Sequence, residues 1–243
     1  MMTERIAALW VYLAATPLLG LTVTLLAYQA AHWIYIKLDM HPLPNPVALS
    51  VAFLVTLLWL SHTPYQTYFD GAQFVHFLLD PATVALAVPL YANLARLKRD
   101  WRALLGGLLV GSLVAMLSAM GIGWLWGATH GSIMSLAPKS VTTPIAMGIA
   151  EKLGGLPSLT AVLVVTTGII GAVLGRHTLD ALRIDDEAVR GFAVGLDAHG
   201  IGTARAFQVS AITGAFAGLA MGLNGITTAL LLLPLVVNLM ALL

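Results

Sequence analysis

The stretch Pro138–Met147, PKSVTTPIAM, combines two prolines six residues apart with Lys139, Ser140, Thr142 and Thr143. Because each proline removes a backbone donor and clashes with the preceding turn, an unbroken helix cannot pass through it. In lipid, backbone outside a helix is tolerated only where protein buries it or a wet cavity borders it. The stretch therefore predicts a helix that stops and restarts, and a broken helix at membrane depth points to a binding site.

The composition around this stretch is that of a membrane protein. Of the 243 residues, 59% are hydrophobic and 9% charged, and the mean hydropathy is +0.90. These values exclude a soluble domain. With ~25 to 35 residues per span and loop, the chain has room for about seven or eight membrane segments. We therefore expect an all-α, polytopic membrane protein in which residues 1–243 form one domain.

The order of apolar runs and helix breakers predicts the spans. Residues 6–31 read as a first span, not a cleaved signal peptide, because no small-residue cleavage site follows them. A second span is expected over 47–60. Residues 74–94 contain Asp80-Pro81 and Pro89 and predict a second broken helix.

Two basic clusters indicate orientation. Arg96, Lys98, Arg99 and Arg102 form the densest one, ahead of a predicted span over 104–126, and Arg176, Arg183 and Arg190 form the second, after a predicted span over 159–175. The positive-inside rule places both clusters in the cytoplasm. Residues 132–152 lie between two segments anchored in this way, so they are expected to enter and leave from one face as a re-entrant segment.

The last third of the chain holds a third irregular segment. Residues 190–206, RGFAVGLDAHGIGTARA, are too rich in glycine and polar residues for a lipid-facing helix. Residues 209–243 would be ~50 Å long as one helix, so they are expected to tilt strongly or to break near Asn224. The same order of features recurs in residues 44–127 and 138–243, and the charges predict opposite orientations, as in inverted-repeat transporters.

The first candidate site is the hydroxyl cluster Ser140, Thr142 and Thr143 beside Lys139. If a helix restarts at Thr143, its free N–H groups and positive dipole end favour a bound anion, and Pro144 suits a first turn. Alternatively, the threonines bond carbonyls of their own helix and Lys139 extends to the membrane surface.

The second candidate site is His199, Thr203 and Arg205 beside Gly200 and Gly202. A buried guanidinium requires a carboxylate, which is either a fixed partner or the substrate. The fixed candidates are Asp197 and Asp80, and pairing with one of them would make Arg205 structural. His199 titrates near neutral pH and could carry a coupled proton, or it could be a histidine that packs between helices.

Three further polar residues have two readings each. Asp80 and Asp197 are candidates for a coupling-ion or proton site, and Asp80 also suits a helix cap because Pro81 follows it. Asn45, between prolines, can bond a ligand or only its own loop. The sequence contains no phosphate-binding glycine loop, no paired histidines at metal spacing and no nucleophile elbow, and it has no cysteine. We therefore expect neither an enzyme nor a cofactor.

Several of these strings resemble a known family. Together with a glycine-rich span that ends near Gly175, the strings PATVALAVPLY (81–91), PKSVTTPIAM (138–147) and AHGIGTARA (198–206) are similar to the LrgB/CidB family of bacterial inner-membrane proteins, whose plastid relative transports glycolate and glycerate. The resemblance implies a multi-pass inner-membrane protein, a small hydroxy-carboxylate as substrate, and a holin-like LrgA/CidA-type partner. The positions that match the family pattern are Lys139, Thr142, Thr143, His199, Thr203 and Arg205.

Two functional hypotheses follow. In the first, the protein is a secondary transporter of glycolate, glycerate, lactate or pyruvate, coupled to protons or sodium. Helix N-terminal amides, Thr142, Thr143 and Thr203 would hold the carboxylate, with Arg205 as the cation. In the second, the protein is an antiholin-like regulator of murein hydrolase export and autolysis that acts with a holin-like partner. Its glycine-rich faces suit a homo-oligomer, expected to be a dimer.

Overall fold

The computed structural model describes residues 17–38, 44–78, 81, 84–85, 87–232 and 234. Within these ranges the chain forms ten α-helices and one π-helical turn and contains no strand. The predicted all-α membrane fold is therefore confirmed. Three described helices are long and apolar enough to cross a membrane: Leu18–Lys37, Leu94–Leu125 and Pro157–Ala181. The chain divides into two compact units, Met1–Ala85 and Leu86–Leu243.

The described part of the first unit consists of three helices: α1 (Pro17–Lys37), α2 (Pro46–Leu60) and α3 (Tyr65–Phe77). Gly20 lets α1 approach α3 closely, because a Cβ there would lie 2.8 Å from the Gly71 carbonyl carbon and the Tyr68 carbonyl oxygen. The Thr24 and Tyr68 hydroxyls share a hydrogen bond of 2.7 Å across the same contact. Helix α1 continues past residue 31, the predicted end of the first span, because no proline or glycine interrupts it before Lys37.

The described part of the second unit contains seven helices: α4 (Ala87–Ala92), α5 (Leu94–Leu125), α6 (His130–Leu136), α7 (Thr143–Lys152), α8 (Pro157–Ala181), α9 (Glu187–Val209) and α10 (Ala211–Thr227). A π-helical turn, Thr228–Leu232, follows α10. Core side chains from α5, α9 and α10, including Leu108, Phe192 and Phe216, pack together in one buried cluster.

The first basic cluster lies inside α5 and not in a connector. We predicted a span beginning at residue 104, but the helix begins at Leu94. Lysine and arginine are good helix formers, and no proline or glycine separates Leu94 from the apolar part of the helix. The first turns of α5 therefore carry the charges without a break.

Ion pairs join the charged ends of these helices. Asp186 caps α9 by accepting hydrogen bonds from the Ala188 and Val189 backbone N–H groups, and the Arg96 guanidinium of α5 pairs with the same carboxylate. The Val189 N–H and the Arg96 guanidinium, in that order, hold the pKa of Asp186 below its usual range. Arg190 pairs with Asp180 at 2.7 Å and joins the start of α9 to the end of α8.

Helices α6 and α7 form a hairpin. A Cβ on Gly131, near the start of α6, would lie 3.5 Å from the Gly154 carbonyl oxygen beyond α7. The Leu156 backbone N–H donates to Ser135 Oγ at 2.8 Å, which fastens the end of α6 to the start of α8. The two ends of this hairpin therefore lie side by side, as the re-entrant prediction for residues 132–152 requires, and its turn, residues 137–142, is called the first tip.

Helix α9 reverses direction at a single residue. His199 has φ 40° and ψ −130°, and helical geometry surrounds it on both sides. A Cβ on Gly202 would lie 2.9 Å from the Val194 carbonyl oxygen, whereas eight residues of straight helix span ~12 Å. Residues 200–209 therefore fold back along residues 187–198. The predicted irregular segment is present but is confined to this turn, residues 196–200, which is called the second tip.

A second reversal at Ser210 starts α10. The extended Ser210 caps the helix by accepting a hydrogen bond from the Thr213 N–H at 3.1 Å. Helix α10 then runs beside the first half of α9, where Gly191 and Gly195 allow contact between the two backbones. The helix continues through Asn224 and Gly225 to Thr227, so the second of the two predicted alternatives, a break near Asn224, does not occur. The π-helical turn comes four residues later.

Candidate functional site

The two tips meet at one buried side chain, Asn224 of α10. Its Nδ2 donates to the Ser140 carbonyl of the first tip at 3.1 Å and to the Leu196 carbonyl of the second tip at 3.0 Å. Its Oδ1 accepts from Ser112 Oγ of α5 at 2.7 Å and from Thr228 Oγ1 at 3.2 Å. All four hydrogen-bonding positions of the amide are used. Asn224 therefore holds both interrupted helices in register.

His199 fixes the second tip against α8. Its ring is 4% exposed, and Nε2 donates to the Val164 carbonyl at 2.9 Å. Gly168 makes room for the ring, since a Cβ there would lie 2.7 Å from His199 Cε1. The contact holds a non-glycine residue at a positive φ, which is costly without such support. This geometry fits a histidine that packs between helices, while a role of His199 as a proton carrier stays a prediction.

Thr142 and Thr143 stand where the first tip ends and α7 begins. The helix starts at Thr143, with Thr142 as its N-cap residue and Pro144 in its first turn, as predicted. Within the described residues, neither threonine hydroxyl has a hydrogen-bond partner, and the N–H groups of Thr143 and Ile145 donate to no acceptor. Both threonines are half-buried. The helix start thus presents several donors together with the positive end of its dipole.

Lys139 is the cation at the first tip. Its side chain is half-buried, and Nζ donates to the buried Ser140 Oγ at 3.2 Å. Lys139 therefore stands next to Ser140, whose carbonyl binds Asn224, while His199 lies in the second tip, which binds the same amide through the Leu196 carbonyl.

A family model described as the LrgB-like family matches residues 24–239. The chain belongs to the LrgB-like family. A relative from Bacillus subtilis (strain 168), the uncharacterized protein YwbG, is 39% identical over 212 residues, which cover 87% of this chain and 93% of the relative. No solved structure matches the chain. The resemblance to the LrgB/CidB family inferred from the three strings is confirmed.

The remaining residues of the AHGIGTARA string lie beyond the second tip of this LrgB-family protein. Thr203 is buried and donates to the His199 carbonyl at 2.8 Å, so it bonds within its own segment. Arg205 is half-buried and donates to Gln208 Oε1 at 2.8 Å. Part of its hydrogen-bonding capacity is therefore satisfied three residues away. Gly202 is required for the reversal, while Gly200 is exposed at the turn.

The other predicted polar residues occupy separate places. Asn45, in the first unit, caps α2 by accepting from the Val47 N–H at 2.8 Å, which is the loop role given above as the alternative. Asp197 is exposed at the second tip, with a carboxylate oxygen 3.0 Å from the Cβ position of Gly171. Asp80 lies outside the described residues, as do residues 79, 82–83 and 86 of the broken helix predicted over 74–94. The flanking helices end at Phe77 and begin at Ala87.

Sequence reasoning missed Asn224 as a site residue in this LrgB-family protein. The Asn224-Gly225 pair instead suggests a possible break in the helix. The signal that could have identified it is its chemistry, since an amide in an otherwise apolar run is costly in a membrane and marks a polar partner. Its partners, Ser112, Ser140 and Leu196, are distant in the sequence, so no local pattern could name them.

Proposed function

We propose that this LrgB-family protein is a secondary transporter of small organic anions of the glycolate, glycerate, lactate and pyruvate class in the bacterial inner membrane. The observation that supports it is the meeting of two interrupted helices at Asn224, with unpaired donors at the start of α7. Membrane proteins keep such breaks where they line a cavity for cargo.

The start of α7 suits a carboxylate. The Thr143 and Ile145 N–H groups and the two threonine hydroxyls are donors with no competing acceptor among the described residues. Carboxylates bind at helix N-termini because the N–H groups and the dipole both favour negative charge.

The cation is Lys139 or Arg205. Lys139 stands in the first tip itself, whereas Arg205 stands six residues beyond the turn at His199 and shares its guanidinium with Gln208. A direct pair between a cation and the substrate carboxylate would be a charge-assisted bond, the strong type of hydrogen bond. We give Lys139 this role because it lies in the first tip, and we keep Arg205 as the alternative. Substitutions of the two residues can be compared in one assay.

Alternating access would follow from relative motion of the two predicted inverted repeats. Coupling to a proton or to sodium supplies the driving force. The association with a holin-like partner stays a prediction of the family resemblance, and the homodimer stays a prediction of the glycine-rich faces.

Uptake of labelled glycolate into proteoliposomes tests the proposal. Thr143→Val removes one donor without changing the side-chain shape, and a lost hydrogen bond to a charged group costs ~1.5 to 3 kcal/mol. We expect the half-saturating glycolate concentration to rise about 10- to 100-fold. Lys139→Met should reduce uptake at least as strongly, and Arg205→Ala less.

Thr166→Val is the matched control, because Thr166 is exposed on α8, and its uptake should equal that of the wild type. Absence of glycolate, lactate and pyruvate uptake by the wild type under both proton and sodium gradients would contradict the transporter proposal. It would leave the antiholin-like regulator as the hypothesis to pursue.

A further inference from the structure

A small cavity lies beside Asn224, between α5, the first tip and the turn after α10. Its lining includes three hydroxyl side chains, those of Ser112, Ser140 and Thr228. The volume open to the centre of a water molecule is about 10 Å³. The cavity therefore accommodates one water molecule or one small ion.

The hydrogen bonds of Asn224 decide which atoms can face an occupant. Both amide protons are committed to the Ser140 and Leu196 carbonyls, and the hydroxyl protons of Ser112 and Thr228 are committed to Asn224 Oδ1. This arrangement also fixes the orientation of the amide, since the carbonyls can only accept and Oδ1 is the acceptor for the two hydroxyls. The two hydroxyls therefore offer lone pairs to the cavity and no proton.

Further oxygens are available at the same place. Ser140 Oγ is buried, and Ala137 and Val141 are lining residues whose carbonyls accept no hydrogen bond within the described part of the chain. Ala137 is the C-cap residue of α6, so its carbonyl also lies at the negative end of a helix. Thr228 opens the π-helical turn, a deviation from α-helix that is common at functional sites.

We propose that this cavity binds Na⁺. Hydroxyl and carbonyl oxygens replace the hydration shell of a cation. The lining contains no carboxylate, and divalent Ca²⁺ and Mg²⁺ rely on carboxylates in protein sites. The neutral oxygens and the space for one small occupant therefore favour a small monovalent ion.

The Lys139 ammonium disfavours a bound Na⁺, so the affinity of the site depends on where the Lys139 side chain lies. Its Nζ donates to Ser140 Oγ at 3.2 Å, so Na⁺ and the Lys139 ammonium compete for the same hydroxyl and repel each other. Na⁺ entry therefore displaces Lys139 from Ser140. A displaced ammonium is free to meet a substrate carboxylate, so the ion would favour anion binding at the first tip. This coupling rests on the proposed transport function, whereas Na⁺ binding itself does not.

The test measures binding without transport. The purified full-length chain in detergent is titrated with NaCl against N-methylglucamine chloride at constant ionic strength, with thermal unfolding and radiolabelled Na⁺ binding as readouts. We expect saturable binding of one Na⁺ per chain and a rise in Tm of about 3 to 6 °C at ten times the Kd. K⁺ should give a smaller rise.

Variants connect the effect to the cavity. Ser112→Ala and Thr228→Val should each weaken Na⁺ binding about 10-fold or more, since each removes a ligand oxygen, and Lys139→Met should strengthen it. Ser118→Ala is the matched control, because Ser118 is exposed on the same helix, and it should bind Na⁺ as the wild type does. Thr228→Ser keeps the hydroxyl and should retain binding if Thr228→Val fails to fold.

Equal Tm values for the wild type in Na⁺, K⁺ and N-methylglucamine, with no bound radiolabel, would overturn the proposal and assign the cavity to water. Undiminished Na⁺ binding by Ser112→Ala would overturn it as well. Na⁺ binding without glycolate uptake would support the site and contradict the transport function. Glycolate uptake without Na⁺ binding would support the transport function and contradict the Na⁺ site.

Discussion

Gly195→Ala is expected to abolish the folded second unit. A Cβ at this position would lie 2.0 Å from the Ala217 carbonyl oxygen, and the neighbouring atoms that it strikes are all backbone. Because backbone cannot rotate away as a side chain can, α9 and α10 would have to separate along their length. Ordinary overpacking costs ~1 to 3 kcal/mol, and we expect a loss of about 4 kcal/mol or more here. Thermal unfolding of the detergent-purified protein measures it.

Gly222→Ala is the matched control on α10, since a Cβ there meets nothing within 4 Å. It should leave Tm unchanged or raise it, because alanine favours helix over glycine by ~1 kcal/mol. Equal Tm values for Gly195→Ala and the wild type would contradict the close approach of the two helices.

Asn224→Ala is expected to have the next largest effect. It removes four hydrogen bonds and leaves the Ser140 and Leu196 carbonyls without this donor. At ~0.6 to 1.5 kcal/mol per bond, the loss is about 2 to 6 kcal/mol. The two tips would also lose the link that holds them in register. We therefore expect both the Tm and the glycolate uptake to decrease.

Asn93→Ala provides the comparison for this substitution. Asn93 is half-buried and donates a single bond, to the Pro89 carbonyl at 2.9 Å. Its removal should cost ~1 kcal/mol at most. If Asn224→Ala were no more destabilising than Asn93→Ala, the central role given to Asn224 would be wrong.

The sequence predicted the first tip well, because its cause is local. Proline has the same effect on a helix in any surroundings, and Thr143-Pro144 marked the restart of the helix correctly. The family resemblance was also local, since it rested on three short strings. The binding role of these strings stays a prediction.

The second tip was predicted only as a region. Several glycines made residues 190–206 look irregular throughout, yet the reversal falls on His199, which is not a glycine. The hydrogen bond from His199 to Val164 and the space left by Gly168 determine the position of the turn. Both partners lie about thirty residues earlier in the sequence, and a local pattern carries no information about such contacts.

Two features of the helices differ from the prediction for a related reason. Helix α5 begins ten residues earlier than predicted, and α10 continues through Asn224 where a break was possible. Charged residues and an Asn-Gly pair indicate loops in soluble proteins, but here they lie within helices. Ion pairs with Asp186 and the four bonds of Asn224 satisfy the polar groups where they are. Tertiary contacts thus outweighed the local signal.

The central claim is that the first tip borders water and cargo, and cysteine accessibility tests it most directly. The chain has no cysteine, so Thr142→Cys introduces a single thiol at the start of α7. Ile170→Cys, on the exposed apolar surface of α8, is the control. In membranes treated with a charged, impermeant methanethiosulfonate, Thr142→Cys should be modified, glycolate should slow its modification, and Ile170→Cys should not react. Resistance of Thr142→Cys equal to that of Ile170→Cys, or a modification rate that glycolate does not change, would contradict the claim.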